Sequence, residues 1–354
     1  MVPKEYYGRL FTKEQLPVDY HSEAFTLESM IKVDKQLRCK RCYSWIEEDW
    51  QLPGGQYYCR ACIVFGRNQE GKELYYFPSK TSEIEFPVLK WLGELTPYQA
   101  EVSEKLLETY QKQKDSLVHA VTGAGKTEMI YNIVAYVLEN KGHVAIASPR
   151  VDVCRELFLR MKRDFTCSIS LLHAESEPYD GSPLVIATTH QLLKFYQSFD
   201  LVIVDEVDAY PFVGNVMLNH AVEQAKTETG RYIYLTATST LALEEQVRLG
   251  AIEKHHLARR FHGNPLVLPK FCWQGRLQKS LMRGKLPRPL LYQIKKQRKS
   301  KFPLLIFFPN IAIGEKFTSI LQKYLPDEKM AFVSSKSEER SATVENFREK
   351  ELSI

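Results

Sequence analysis

A glycine-bearing loop ending in Lys-Thr, 120-AVTGAGKT-127, and two carboxylates closing an apolar run, 201-LVIVDEVDAY-210, are the most chemically explicit segments of this chain. Gly123 and Gly125 let the backbone curl so that its N–H groups converge on phosphate oxygens, with Thr122 and Ala124 completing the turn. Lys126 can place a point charge on the β and γ phosphates, and the Thr127 hydroxyl can ligate Mg²⁺. Asp205 suits coordination of the same Mg²⁺, and Glu206 suits orienting and deprotonating an attacking water. A loop of this kind alone is weak evidence, and Ala120 stands where the general pattern has Gly. Both motifs in order, each after a strand-like run, predict an NTP-hydrolysing site with Lys126, Asp205 and Glu206 at its centre.

Four of the seven cysteines form two knuckles, 39-CKRC-42 and 59-CRAC-62, separated by 16 residues that contain a Pro-Gly-Gly turn. Cys39, Cys42, Cys59 and Cys62 at this spacing can bring four thiolates to one tetrahedral Zn²⁺, as in a zinc ribbon. Four thiolates also suit an iron–sulfur cluster, so the metal is left open between the two. Lys40, Arg41 and Arg60 lend the knuckles positive charge, which fits DNA contact and a solvated rim equally. Cys154, Cys167 and Cys272 are isolated and read as packing residues.

These sites need elements to hold them. Strand-like runs at 117–121, 144–148, 184–188, 201–205 and 232–237 alternate with helical stretches. That pattern predicts an α/β domain with a parallel sheet covered by helices on both faces. Around it the expected organisation is a leader over 1–36, the cysteine module over 37–70, a connector over 71–95, the ATPase domain over 96–253 and a basic linker over 254–301. A second strand–helix–strand–helix series follows over 302–354, with strands at 303–310 and 330–335.

Hydrophobic residues make up 44% and charged residues 26% of the 354, a profile with ample core. No apolar run approaches the roughly 18 residues of a membrane span, and the first residues lack a secretory apolar segment, so a cytoplasmic location is expected. The net charge of +5 is unevenly spread. Between Lys254 and Lys301 there are 14 Lys/Arg and no Asp or Glu, with Phe261, Phe271, Trp273 and Tyr292 interspersed. Cations neutralise phosphates and aromatic rings stack on bases, so this stretch reads as a nucleic-acid contact.

The forms AxTGxGKT, DEVD and TAT resemble those of superfamily 2 helicase-like ATPases of the DEAD/DEAH type. That resemblance implies a RecA-like fold and further roles, residue by residue. Gln99, in 95-LTPYQ-99, would read adenine. Pro149 and Arg150, and Thr188 and Thr189, would touch the nucleic-acid backbone. Asp208, Thr236, Ala237 and Thr238 would couple hydrolysis to motion. Only the start of a second RecA-like domain is expected over 302–354, and no residue there matches the arginine finger.

With the cysteine module ahead of that core, and with GRLFTKEQL, AVTGAGKTE and VDEVDAYPF, the chain is similar to the ComFA family of late-competence ATPases, and more distantly to PriA-type helicases. The resemblance implies ATP, Mg²⁺ and Zn²⁺ as cofactors and single-stranded DNA as the track. It implies ComFC, DprA and the channel ComEC as partners, and a peripheral place at the inner face of the membrane through them, without direct insertion. Oligomerisation is left open. Two other readings stand beside the DNA translocase: a replication-restart or repair helicase, and an ATP-gated DNA-binding scaffold without turnover.

Overall fold

The computed structural model describes residues 2–81, 84–263, 269–275 and 277–354, the side chain of residue 341 excepted. Its strands are β1 (Leu10–Thr12), β2 (Phe25–Glu28), β3 (Met30–Val33), β4 (Gln36–Cys39), β5 (Glu73–Tyr76), β6 (Asp115–Ala120), β7 (Val144–Ser148), β8 (Ile169–Leu172), β9 (Leu184–Thr188), β10 (Phe199–Asp205), β11 (Lys226–Thr236) and β12 (Ile252–Leu257). Its helices are α1 (Pro97–Gln111), α2 (Lys126–Met129), α3 (Tyr131–Glu139), α4 (Val151–Asp164), α5 (Val216–Ala225), α6 (Leu241–Arg248), α7 (Leu277–Met282), α8 (Arg288–Arg298), α9 (Ile311–Tyr324) and α10 (Arg340–Arg348). The chain divides into two compact units, Met1–Leu266 and Val267–Ile354.

The first unit is built on a seven-stranded sheet in the order β12-β6-β11-β10-β7-β9-β8, parallel throughout. Parallel strands buried on both faces read as unbroken apolar runs, which is why five of them are plain in the sequence. Alternate residues feed two cores. Val118, Ile146, Leu201 and Ile203 pack with residues of α1, α3 and α4, whereas Ala145, Ala147, Val202 and Val204 pack with α5 and the four cysteines. The cysteine module is thus part of the ATPase core.

Three segments differ from their expected organisation. The edge strand β12 pairs with β6 from Ile252 to Leu257, so the sheet runs past residue 253 and takes the first residues of the expected linker. Its Ile-Glu-Lys-His-His-Leu sequence is too polar to read as a buried strand. The expected leader and connector pair with each other: β5 lies antiparallel between β1 and β2. The hairpin β3–β4 leads into the first knuckle from within the expected leader.

In the second unit α7, α8 and α9 pack around Leu281, Leu286, Ile294, Phe317, Ile320 and Leu321. The strands expected at 303–310 and 330–335 are not formed. The backbone bonds those segments make are isolated ones, such as Leu304 N–H to Ser353 O (3.0 Å) and Ala331 N–H to Ile354 O (3.1 Å). A strand is stabilised by a ladder of such bonds, and single bonds do not make one.

Candidate nucleotide, metal and nucleic-acid sites

The loop after β6 carries Gly123 and Gly125 at φ of +80° and +76°, conformations that L side chains rarely adopt. A Cβ on Gly125 would also collide with Gln99 Nε2. Gln99 sits in the first turn of α1, where its Oε1 accepts from Thr96 N–H (2.9 Å) in a capping box. Its Nε2 donates to Ala124 O (2.8 Å), so this amide ties α1 to the loop. The helix expected after the loop is interrupted at Ile130, separating α2 from α3. Thr122 and Gly123 are exposed, Ala124 is buried, and Lys126 and Thr127 lie half-buried at the start of α2.

β10 lies two strands from β6, across β11, and ends in Asp205. Burial pushes the Asp205 carboxyl up to about 6, against the opposing pull of Lys126. A divalent cation with oxygen ligands would favour the charged carboxylate there. Glu206 N–H donates to Asp205 Oδ1 (2.9 Å), and Glu206 has a φ of +57°, a strained value for a non-glycine residue. Asp208 lies between Thr236 and Thr238. Thr236 Oγ1 is 2.6 Å from Asp208 Oδ1, and Thr238 Oγ1 donates to Asp208 Oδ2. Burial raises Asp208, but these hydrogen bonds outweigh it and hold the carboxyl below its usual range.

Three contacts had no sequence signal. His119 Nε2–H donates to Ala237 O (3.2 Å), joining the strand before the loop to the TAT segment. After β12, Phe261 N–H donates to Gly123 O (3.0 Å) and Arg259 Nη1 donates to Tyr98 Oη (3.0 Å). The segment after β12 therefore meets the nucleotide loop through the Phe261 backbone and α1 through Arg259.

Of the residues expected on nucleic acid, Pro149 and Arg150 stand at the end of β7, and the Arg150 side chain is 51% exposed. Thr188 ends β9 and Thr189 opens the 3-10 turn that follows; both are buried, Thr189 at 0% exposure.

The four cysteines are fully buried, with Sγ atoms within 4.8 Å of one another, Cys39–Cys62 at 3.7 Å and Cys42–Cys59 at 3.5 Å. Tetrahedral zinc with bonds of about 2.3 Å spaces its sulfurs roughly 3.8 Å apart, so the set fits one ion. Hydrogen bonding from Cys42 and the other thiols holds Cys39 well below the usual thiol range. Asn68 Nδ2 donates to Cys39 Sγ (3.1 Å). Arg41 is not a surface cation: it is fully buried, and Nη1 donates to Phe65 O (2.8 Å) and Gly66 O (2.9 Å), while Nε and Nη2 have no partner. A buried cation suits the net negative charge of a metal tetrathiolate. Arg60 pairs with Asp49 at 3.1 Å. The knuckle docks on α5, where His220 Nε2–H donates to Lys40 O (3.1 Å) and the His220 ring stacks on Tyr43 at 4.7 Å. Cys154, pushed up to about 12 by burial, is a packing residue, but Cys272 is exposed.

In the second unit Phe271 (97% exposed), Trp273 (94%) and Tyr292 lie open to solvent, as do Lys295, Lys296 and Lys299. Arg298 does not join them. Its side chain is 10% exposed and pairs with Glu328 at 2.9 Å.

A parallel sheet carrying a phosphate loop, a DEVD strand end and a TAT segment bonded to it defines a helicase-like P-loop ATPase, for which the fold implies ATP and Mg²⁺. A family model described as the type III restriction enzyme res subunit matches residues 92–241. The chain is 53% identical to competence protein ComFA of Streptococcus pneumoniae over 353 residues, covering 99% of this chain and 81% of that protein. It is 32% identical to competence protein ComFA of Bacillus subtilis, covering 97% and 76%. The DUF1998 helicase MrfA bound to DNA shares the fold, at a TM-score of 0.50 and 14% identity, over 78% of this chain and 45% of that one. The chain belongs to the ComFA family. It is a competence-associated, helicase-like ATPase. Among the described residues no helix is long and apolar enough to cross a membrane.

Proposed function

We propose that this chain is an ATP-driven translocase on single-stranded DNA that assists the uptake of transforming DNA. The observation that carries the reading is the continuity from nucleotide loop to coupling segment. Lys126 acts on Asp205, Asp208 follows in the same DEVD, and Asp208 is bonded to Thr236 and Thr238. In this reading Lys126 and the loop N–H groups hold the phosphates, Thr127 and Asp205 hold Mg²⁺, and Glu206 takes the proton of the attacking water. Thr236 and Thr238 carry the change at Asp208 into the chain that follows β11. Exposed Arg150 and the aromatic and lysine side chains of the second unit supply backbone and base contacts. Zn²⁺ at Cys39, Cys42, Cys59 and Cys62 is a structural ion, since the sulfurs lie at single-ion spacing. ComFC, DprA and ComEC belong to the same proposal as its uptake partners, with a cytoplasmic site of action against the membrane.

The test is turnover against oligonucleotide length. A motor that moves before dissociating shows ATP hydrolysis rising with the length of single-stranded DNA to a plateau. Turnover stimulated equally by the shortest bound oligonucleotide and by long strands contradicts translocation.

A further inference from the structure

We infer that Arg150 is a positioning residue that holds the Glu206 carboxylate until a DNA phosphate draws the guanidinium away, so that DNA occupancy is read at the catalytic base. The inference rests on the translocase reading above. β7 and β10 are adjacent and parallel, with Ala147 opposite Val204, so the two strands end side by side. Arg150 follows β7 by two residues and Glu206 follows β10 by one. Across that gap Arg150 Nη1 lies 3.6 Å from Glu206 Oε2. That oxygen is buried and has no hydrogen-bond partner, and Arg150 is the one cation within ion-pair distance of Glu206 among the described residues. Lone pairs needed to accept a proton from water thus lie against a guanidinium.

Arg150 is also held from the other side. Its Nη2 is 2.6 Å from Asp152 Oδ2, and Nε donates to Asp152 Oδ1 at 3.3 Å. The guanidinium is shared between a two-point contact with Asp152 and a one-point contact with Glu206. Because it is half exposed, a backbone phosphate can reach it, and a phosphate offers the two-oxygen geometry that Glu206 does not use. The pair with Glu206 is the weaker contact and the first to yield. Sequence motifs assign Arg150 to the DNA and Glu206 to the nucleotide; the geometry joins them.

The experiment measures ATP turnover of the full chain with and without single-stranded DNA, for wild type, Arg150→Gln, Arg150→Lys and Asp152→Asn. Arg150→Gln should raise DNA-independent turnover roughly two- to fivefold, the scale of a half-exposed ion pair, and shrink the DNA stimulation ratio by the same factor, with the KM for ATP nearly unchanged. Arg150→Lys should restore part of the ratio. Asp152→Asn leaves the guanidinium to Glu206 alone and should lower DNA-independent turnover. A DNA-responsive wild type whose stimulation ratio survives Arg150→Gln overturns the inference alone, as does a variant losing both activities in equal proportion. A wild type with no response to DNA overturns the translocase reading, and the inference with it.

Discussion

Thr236 Oγ1 lies 2.6 Å from Asp208 Oδ1, bridging the end of β11 to the DEVD turn that follows β10. The contact is buried at Thr236 and is reinforced by Thr238 N–H donating to Thr236 Oγ1 at 3.0 Å. Thr236→Val keeps the shape and removes the hydroxyl. ATP affinity should stay within about threefold while DNA-stimulated turnover falls about tenfold, the scale of one hydrogen bond to a charged group. Equal losses in ATP binding and turnover would show that the contact only supports the fold.

Lys126→Ala should weaken Mg-ATP binding roughly 10- to 100-fold, as expected for the loss of a charge-assisted contact to phosphate. Nucleotide titration measures it directly. Retained affinity would move the phosphate site elsewhere.

The sequence exposed what depends on short-range chemistry. The loop around Lys126, the acids Asp205 and Glu206 and the spacing of the four cysteines are local patterns, and the structure keeps each of them together. Long-range consequences were not legible. Nothing near Thr189 announces that the turn after β9 buries it, nothing near Arg41 announces a buried guanidinium, and β1, β2 and β5 become a sheet only by pairing across more than forty residues. Charge counting also failed at Arg298, whose partner Glu328 lies on the far side of α9 in sequence.

That last contact separates two kinds of basic residue. Replacing Lys295, Lys296 and Lys299 with Gln should flatten the dependence of DNA affinity on salt by up to about 2 in log–log slope. Arg298→Gln should instead lower the stability of the second unit, because Glu328 loses its buried partner. Identical slopes for the triple variant and wild type would remove α8 from the DNA interface.

Cys59→Ser should release metal and destabilise the ATPase unit, since the cysteines share a core with Val204, Phe212 and Leu218. Metal content and thermal unfolding check this together. An unchanged metal-to-protein ratio would refute the four-thiolate site.

Burial holds His143, His190 and His255 below the ordinary imidazole value. The unfolded chain then binds protons that the folded chain refuses, so stability is full above about pH 6.5 and falls as pH drops through and below it. Asp205, raised by burial to about 6, acts in the opposite sense below that pH. Thermal unfolding should therefore show stability falling between pH 7 and 6, with a shallower slope in His255→Gln. A slope that the substitution does not change would assign the effect to other groups.

Whether Glu206 is the base of a DNA-responsive ATPase is decided by steady-state hydrolysis by this chain and its Glu206→Gln variant, each with and without single-stranded DNA. DNA should stimulate turnover in the wild type, and the variant should lose that turnover by at least about 100-fold while still binding ATP. Turnover that persists in the variant, or a wild type that hydrolyses ATP with no response to DNA, would contradict that role.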